Sequence, residues 1–200
     1  MAKTSSTPNL RRASVLAMKL LLRLKTVHLP IDPLTMARRI PHVRTMAYPD
    51  YAVYTGMGTA PLQKISDYGY TMRQPGGRAM ILYNTEQPPE AIRFTVAHEL
   101  GHLILSHRRD DGPADEEADY FARCLICPLP VADALHLTNS DAYGFIFSVT
   151  DDLARLAFSC RDTDRQLLDN NLYHQVRNMF QSAMADPTPM GLHQKRSAVQ

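Results

Sequence analysis

Two histidines and a glutamate, His98, His102 and Glu99, have the spacing needed to bind a metal ion and activate a water molecule. They lie in the apolar stretch FTVAHELGHLILSH, residues 94–107. On a helix, residues four apart share one face, so both imidazoles can bind a single ion. Glu99 is rotated by about 100° from His98, which keeps it out of the ligand set. It can still reach a water at the ion and act as a general base.

The third ligand must come from another segment. One class of metalloprotease continues the pattern as HExxHxxGxxH, but the corresponding positions hold Leu105 and Arg108. His107 is five residues beyond His102 and is therefore badly rotated from its face. We interpret His107 as a residue at the helix C-terminus, stabilised by the helix dipole. The missing ligand is expected downstream.

The segment ADEEADYFA supplies acidic candidates for that ligand. Asp115 and Asp119 are four residues apart. At this spacing, one carboxylate can bind the metal while the other holds a histidine ligand in the correct tautomer. The same run of acids would also favour a helix N-terminus without any metal. The metal interpretation is preferred because the two histidines lie shortly before this segment.

The elements that must position these residues are a mixture of helices and a small sheet. Apolar spacing predicts an amphipathic helix over residues 9–25, and Asp32 is a candidate N-cap of a short helix ending near Arg39. HVRTMAY alternates like a strand, and the turn QPGG predicts a hairpin over about 68–84. The site helix is expected over 88–106, because Pro88 and Pro89 favour its start. Further helices are predicted from about Pro113, over 130–137, and in two pieces after Thr150.

Composition and cysteine content favour a single domain in a reducing compartment. The chain has 200 residues, 44% of them hydrophobic, and three cysteines, which is a poor basis for a disulfide framework. We expect a domain over 9–185, with a helical part from about 130, between disordered segments 1–8 and 186–200. Lys19 and Arg23 interrupt the N-terminal apolar stretch, which argues against an export signal or membrane span. The prediction is a cytoplasmic protein, with an organelle transit peptide as the alternative.

The basic residues are concentrated at the front of the chain. Residues 1–44 contain nine Lys or Arg and one acid, Asp32. Such a segment could contact nucleic acid, but a solvated helix face explains it more simply. Direct binding of nucleic acid is therefore not expected.

Four segments together resemble the ImmA/IrrE family of metallopeptidases: IDPLTMARRI, ILYN, RFTVAHELGHLILSH and EEADYFARCLICP. The similarity extends from about Leu16 to Pro130. It implies an α+β, minimal zincin-like domain with a small antiparallel-containing sheet, an HExxH helix, a following ligand helix and C-terminal helices. Asp115 stands where the family has a metal-binding glutamate, and Glu116 is the alternative ligand. Cys127 replaces the usual methionine, and a CxxC site formed with Cys124 is a minor alternative.

The resemblance also implies an activity. Zn²⁺, with Mn²⁺ as the alternative, would be bound by His98, His102 and Asp115, with Glu99 as general base and Asp119 supporting a histidine. The implied reaction is limited cleavage of a protein, a helix-turn-helix repressor or antitoxin of the Xre type, to derepress mobile-element or stress-response genes. Strand 79–84 is predicted to be the edge strand that pairs with substrate. The alternative is a module that sequesters a DNA-binding partner without cutting it, which the shortened Asp115 would favour.

Overall fold

A computed structural model describes residues 7–108 and 112–185, and these residues form the predicted α+β fold. The strands are β1 (Val43–Ala47), β2 (Gly69–Gln74) and β3 (Arg78–Tyr83). The helices are α1 (Leu10–Leu24), α2 (Pro33–Arg38), α3 (Tyr48–Thr55), α4 (Ala60–Gln63), α5 (Pro89–Ile104), α6 (Gly112–Ile126), α7 (Leu129–Ala134), α8 (Ser140–Phe147), α9 (Asp151–Ser159), α10 (Arg161–Leu167) and α11 (Asn170–Ala185).

The three strands form one mixed sheet in the order β1-β3-β2. The predicted hairpin is present, since β2 pairs antiparallel with β3 around the turn at residues 75–77, with Thr71 opposite Ile81. β1 pairs parallel with the other side of β3. The prediction that residues 79–84 form an edge was wrong, because the earlier strand β1 covers that side of β3. The edge strand of the hairpin is β2.

Helix α1 forms as its apolar spacing predicts. Its N-cap Asn9 accepts a hydrogen bond from the Arg12 N–H, and the buried face includes Ala13, Ala17 and Leu21, each fully inaccessible. This face packs against α6, whose own buried face includes Phe121. Burial of a continuous apolar stripe is what stabilises a helix of this length.

Helix α5 lies between the sheet and α6 and carries the predicted site. Its buried residues Val96, Ala97 and Leu100 fix it in the core. The short helices α3, α4 and α8 were not predicted, because four to eight residues carry too little periodic signal.

Two predicted segments fall outside the described residues, residues 1–6 of the N-terminal segment and the whole tail 186–200. Within the described ranges, no helix has the length and apolar character required to cross a bilayer.

Candidate metal centre

The ligand atoms of His98, His102 and Asp115 converge between α5 and α6. The two Nε2 atoms of the histidines lie 2.9 Å apart, and His102 Nε2 lies 3.5 Å from Asp115 Oδ1. One candidate ligand atom from each of the three residues lies within 4.8 Å of the others. The fold therefore brings the three residues predicted to bind metal to one point.

The chemistry of this group fits a divalent cation. Two imidazole nitrogens and one carboxylate oxygen are a usual set of protein ligands at catalytic zinc sites, which keep a further position for water or substrate. His102 is buried, with 5% of its surface exposed. The Asp115 side chain is 50% exposed. The site is thus embedded on one side and open to solvent on the other.

Close packing of α5 on α6 depends on Gly101. A Cβ atom at this position would lie 3.2 Å from both Cα and O of Ala118 and 3.1 Å from Phe121 Cδ1. Glycine inside a helix costs about 1 kcal/mol relative to alanine, and here it permits the backbones to approach. The close approach also explains how the short Asp115 side chain reaches His102.

Asp115 and the neighbouring Glu116 differ in their relation to the histidines. Among the described residues, the group of possible metal ligands contains Asp115 and does not contain Glu116. Glu116 is exposed on α6. The geometry therefore favours Asp115 as the third ligand.

Glu99 is held by β2, one of the two edge strands of the described sheet. Thr71 Oγ1, on β2, donates a 2.6 Å hydrogen bond to Glu99 Oε2. The carboxylate is thereby oriented in the cleft between α5 and β2, beside the two histidines. This is where a general base for an attacking water is required.

His98 is supported from α6 by Asp119. The Asp119 carboxylate Oδ1 lies 2.7 Å from His98 Nδ1. Burial alone would lower the pKa of His98, but this hydrogen bond and the nearby carboxylates outweigh it, and the pKa is raised. Because Asp119 accepts the Nδ1–H, the neutral imidazole presents the lone pair of Nε2 to the site.

His102 is supported by two residues that the sequence did not identify, His107 and Glu117. The Nδ1 atoms of His102 and His107 are 3.1 Å apart, and His107 Nε2 lies 3.1 Å from Glu117 Oε2. Glu117 Oε1 also accepts a 2.7 Å hydrogen bond from the Asn9 N–H. Burial would raise the pKa of Glu117, but the hydrogen bonds from Asn9 and His107 outweigh it and lower the pKa.

His107 lies just beyond the C-terminus of α5, where its N–H bonds to the His102 carbonyl, but the sequence did not indicate the contact of its ring with His102. Helix α5 ends at Ile104, and Ser106 adopts a left-handed conformation with φ of 59°. This turn folds His107 back onto the outer side of His102. Arg12 of α1 donates a 2.8 Å hydrogen bond to the carbonyl of Leu105 and so fixes the turn. Spacing along a helix could not reveal a contact made after the helix has ended.

The two sets of partners determine the tautomers of the histidines. If the charged Glu117 accepts the Nε2–H of His107, then His107 Nδ1 accepts the Nδ1–H of His102. Both His98 and His102 then direct an unprotonated Nε2 at the same point, 2.9 Å apart. Two lone pairs at this distance repel each other unless a proton or a metal ion lies between them.

Cys124 and Cys127 are core residues. Both are buried, and burial raises the pKa of the Cys127 thiol to about 12 and also raises that of Cys124. Neither belongs to the group of possible metal ligands in the described ranges. The segment CLIC is therefore explained by packing.

Comparison with known families identifies the central part of the chain. Residues 58–143 match the model of peptidase family M78, described as the IrrE N-terminal-like domain. No significant match was found among curated proteins or among solved structures. The matched range includes β2, β3, α5 and α6, and with them all five predicted site residues. Residues 58–143 are therefore similar to the IrrE N-terminal-like domain of a peptidase family, and the predicted resemblance to the ImmA/IrrE family is confirmed.

Proposed function

We propose that the protein is a zinc-dependent endopeptidase that makes limited cuts in a protein partner. The observation that carries this proposal is the convergence of His98 Nε2, His102 Nε2 and the Asp115 carboxylate, beside Glu99. The family match supports a peptidase, and the nature of the ligands supports a divalent cation.

Each site residue has a distinct role in this proposal. His98, His102 and Asp115 hold the ion, and Asp119 keeps Nε2 of His98 unprotonated. When bound, Zn²⁺, or Mn²⁺ as the alternative, supplies Lewis acidity that polarises the scissile carbonyl and lowers the pKa of the attacking water. The open side of the site, next to the half-exposed Asp115, is where that water and the peptide enter.

Glu99 moves the proton during hydrolysis. Its carboxylate takes a proton from the attacking water and then gives it to the nitrogen of the leaving amine, so that the amine departs neutral. Thr71 orients this carboxylate through the hydrogen bond to Oε2. Because the hydrogen bond crosses from β2 to α5, the position of the base depends on the sheet edge along which a peptide can bind.

The proposed partner is a helix-turn-helix repressor or antitoxin of the Xre type, and its cleavage would derepress mobile-element or stress-response genes. This part of the proposal is supported by the resemblance to the ImmA/IrrE family. The edge strand β2 beside the site suits a partner with an accessible extended segment, and therefore suits cleavage at few positions.

The experiment compares the wild-type protein with Glu99→Gln, each loaded with zinc and incubated with a candidate repressor. Wild type should cut the repressor at one or a few positions, and Glu99→Gln should not, at the same zinc content. Fragments are read by mass spectrometry. Equal cleavage by both proteins would contradict the role of Glu99.

The alternative, sequestration of a DNA-binding partner without cleavage, was favoured by the short side chain of Asp115. Asp115 Oδ1 nevertheless lies 3.5 Å from His102 Nε2, so the shorter side chain is compatible with a complete ligand set. A repressor that remains intact but releases its DNA when the zinc-loaded protein is added would support sequestration.

A further inference from the structure

An apolar cavity opens directly beside the proposed catalytic residues. It has a volume of about 600 Å³, and His98 and Glu99 form part of its wall. Along α5 the wall continues through Ala91, Phe94 and Thr95, which share one helix face with His98. A side chain in this cavity would therefore lie next to the reacting centre.

The opposite wall comes from outside the matched family domain. Leu153 and Leu156 of α9 line the cavity, whereas the family match ends at residue 143. Leu156 is 52% exposed, and Tyr68, on the side of β2, is 54% exposed. Large apolar side chains left in contact with water around a cavity are typical of a surface that binds an apolar group.

The cavity is continuous with the cleft along the edge strand. Ser66, Gly69, His98 and Glu99 line both the cavity and a second pocket that contains His102 and Asp115. β2 has β3 as its partner strand on one side within the described sheet. A peptide paired with the outer side of β2 would pass the metal centre and place alternate side chains toward α5.

The other end of this cleft has a different character. It is lined by Arg73 and Arg108, both exposed, and by His107. The cleft is thus apolar on the α9 side of the reacting centre and polar on the other side. A substrate segment complementary to this cleft therefore has a large apolar residue on the α9 side of the scissile bond.

We propose that this cavity is a specificity site that receives a large apolar side chain, of the size of Leu, Met or Phe, directly beside the scissile bond of an extended substrate segment. The inference rests on the proposed function. It adds that helix α9, which lies beyond the family match, takes part in selecting the position of the cut. Peptides with such a side chain at this position should be preferred roughly 10- to 100-fold over peptides with alanine there, because the side chain is buried in the cavity.

The test uses a library of synthetic 12-residue peptides with randomised central positions. Cleavage by the zinc-loaded wild type is read by mass spectrometry, and binding is read by enrichment on immobilised Glu99→Gln. Two variants change the cavity: Leu153→Glu makes it polar, and Ala91→Phe fills it. Phe145→Glu is the matched control, because Phe145 is 85% exposed on the neighbouring α8 and does not line the cavity.

Wild type and Phe145→Glu should cut beside large apolar residues. Leu153→Glu should lose this preference in the cleavage assay. In the binding assay, where Leu153→Glu is combined with Glu99→Gln, the preference should be lost as well. Ala91→Phe should shift the preferred residue beside the scissile bond toward alanine and valine, because it fills the cavity. Zinc content and thermal midpoint verify that each variant is folded and loaded.

The two proposals fail in different ways. Cleavage by wild type with no preference beside the scissile bond, or a preference retained in both Leu153→Glu and Ala91→Phe, would overturn the specificity site and leave the peptidase proposal intact. Binding with an apolar preference that Leu153→Glu abolishes, but without cleavage by the zinc-loaded wild type, would support the cavity and contradict the peptidase. Absence of both cleavage and selective binding would overturn both.

Discussion

His98 and His102 lie one turn apart on α5, yet the protein supports them in different ways. His98 is held by Asp119, whose side chain is 59% exposed. His102 is held by His107, which is in turn held by Glu117; their side chains are only 9% and 13% exposed. Glu117 is also tied to the start of α1 through the Asn9 N–H. One support lies at the surface, and the other is part of the interior.

The residues that support the two histidines of the proposed metal site differ in the tasks they perform. Both supports present Nε2 of a histidine to the same point, so both should affect the affinity for the metal. Only the support of His102 connects the site to α1 and the turn after α5, so only this one should contribute strongly to folding. Buried hydrogen-bonded groups are costly to leave without partners, whereas exposed groups can be solvated by water.

The largest effect is expected for Glu117→Ala. The substitution leaves the buried His107 ring and the Asn9 N–H without their acceptor, which should lower the free energy of unfolding of the metal-free protein by about 1–3 kcal/mol. It should also weaken zinc binding by roughly 10- to 100-fold. Urea denaturation and competition with a chelator measure the two quantities.

Glu116→Ala is the control for this experiment, because it removes an exposed carboxylate from the same turn of α6. It should change neither quantity appreciably. If Glu117→Ala were as stable as Glu116→Ala and bound zinc equally well, the buried support would have no role.

A smaller effect is expected for Asp119→Ala. Zinc affinity should fall by roughly tenfold, because His98 loses the acceptor that fixes its tautomer. The free energy of unfolding should change by no more than about 0.5 kcal/mol, since the carboxylate is exposed. A stability loss as large as that of Glu117→Ala, measured by the same denaturation, would remove the distinction between the two supports.

The smallest effect is expected for chemical labelling of Cys124 and Cys127, whose thiols lie in the core. Burial raises the pKa of Cys127 to about 12, so at pH 8 only about one thiolate in 10⁴ is present. A maleimide reagent should therefore label only Cys160, which is partly exposed, in the folded protein. All three thiols should react in urea. Labelling of Cys127 in the folded, metal-free protein that is suppressed by zinc would instead indicate a CxxC metal site.

The sequence predicted the elements that carry strong local signals. Helix α1 and helix α5 follow from apolar spacing, and the β2–β3 hairpin follows from the turn QPGG. Asp115 and Asp119 could be selected as candidates because residues four apart on a helix lie on the same face. These features depend on neighbours in the chain and can be inferred from it.

Features that depend on distant segments could not be inferred. The pairing of β1 with β3, which places β3 in the middle of the sheet, joins strands separated by α3, α4 and β2. The contact of His107 with His102 requires the left-handed turn at Ser106 and its anchor Arg12, 93 residues earlier than Leu105. The apolar cavity combines α5 with α9. Each is a product of tertiary packing, for which helical periodicity carries no signal.

We propose that His98, His102 and Asp115 together bind a metal ion. The most direct measurement is the zinc content, by elemental analysis after dialysis, of the wild-type protein, Asp115→Ala and Glu116→Ala. We expect one zinc per chain in wild type and in Glu116→Ala, and an emptied site in Asp115→Ala. A wild-type protein that retains no metal, or an Asp115→Ala protein that retains it fully, would show that these three residues do not form the metal site.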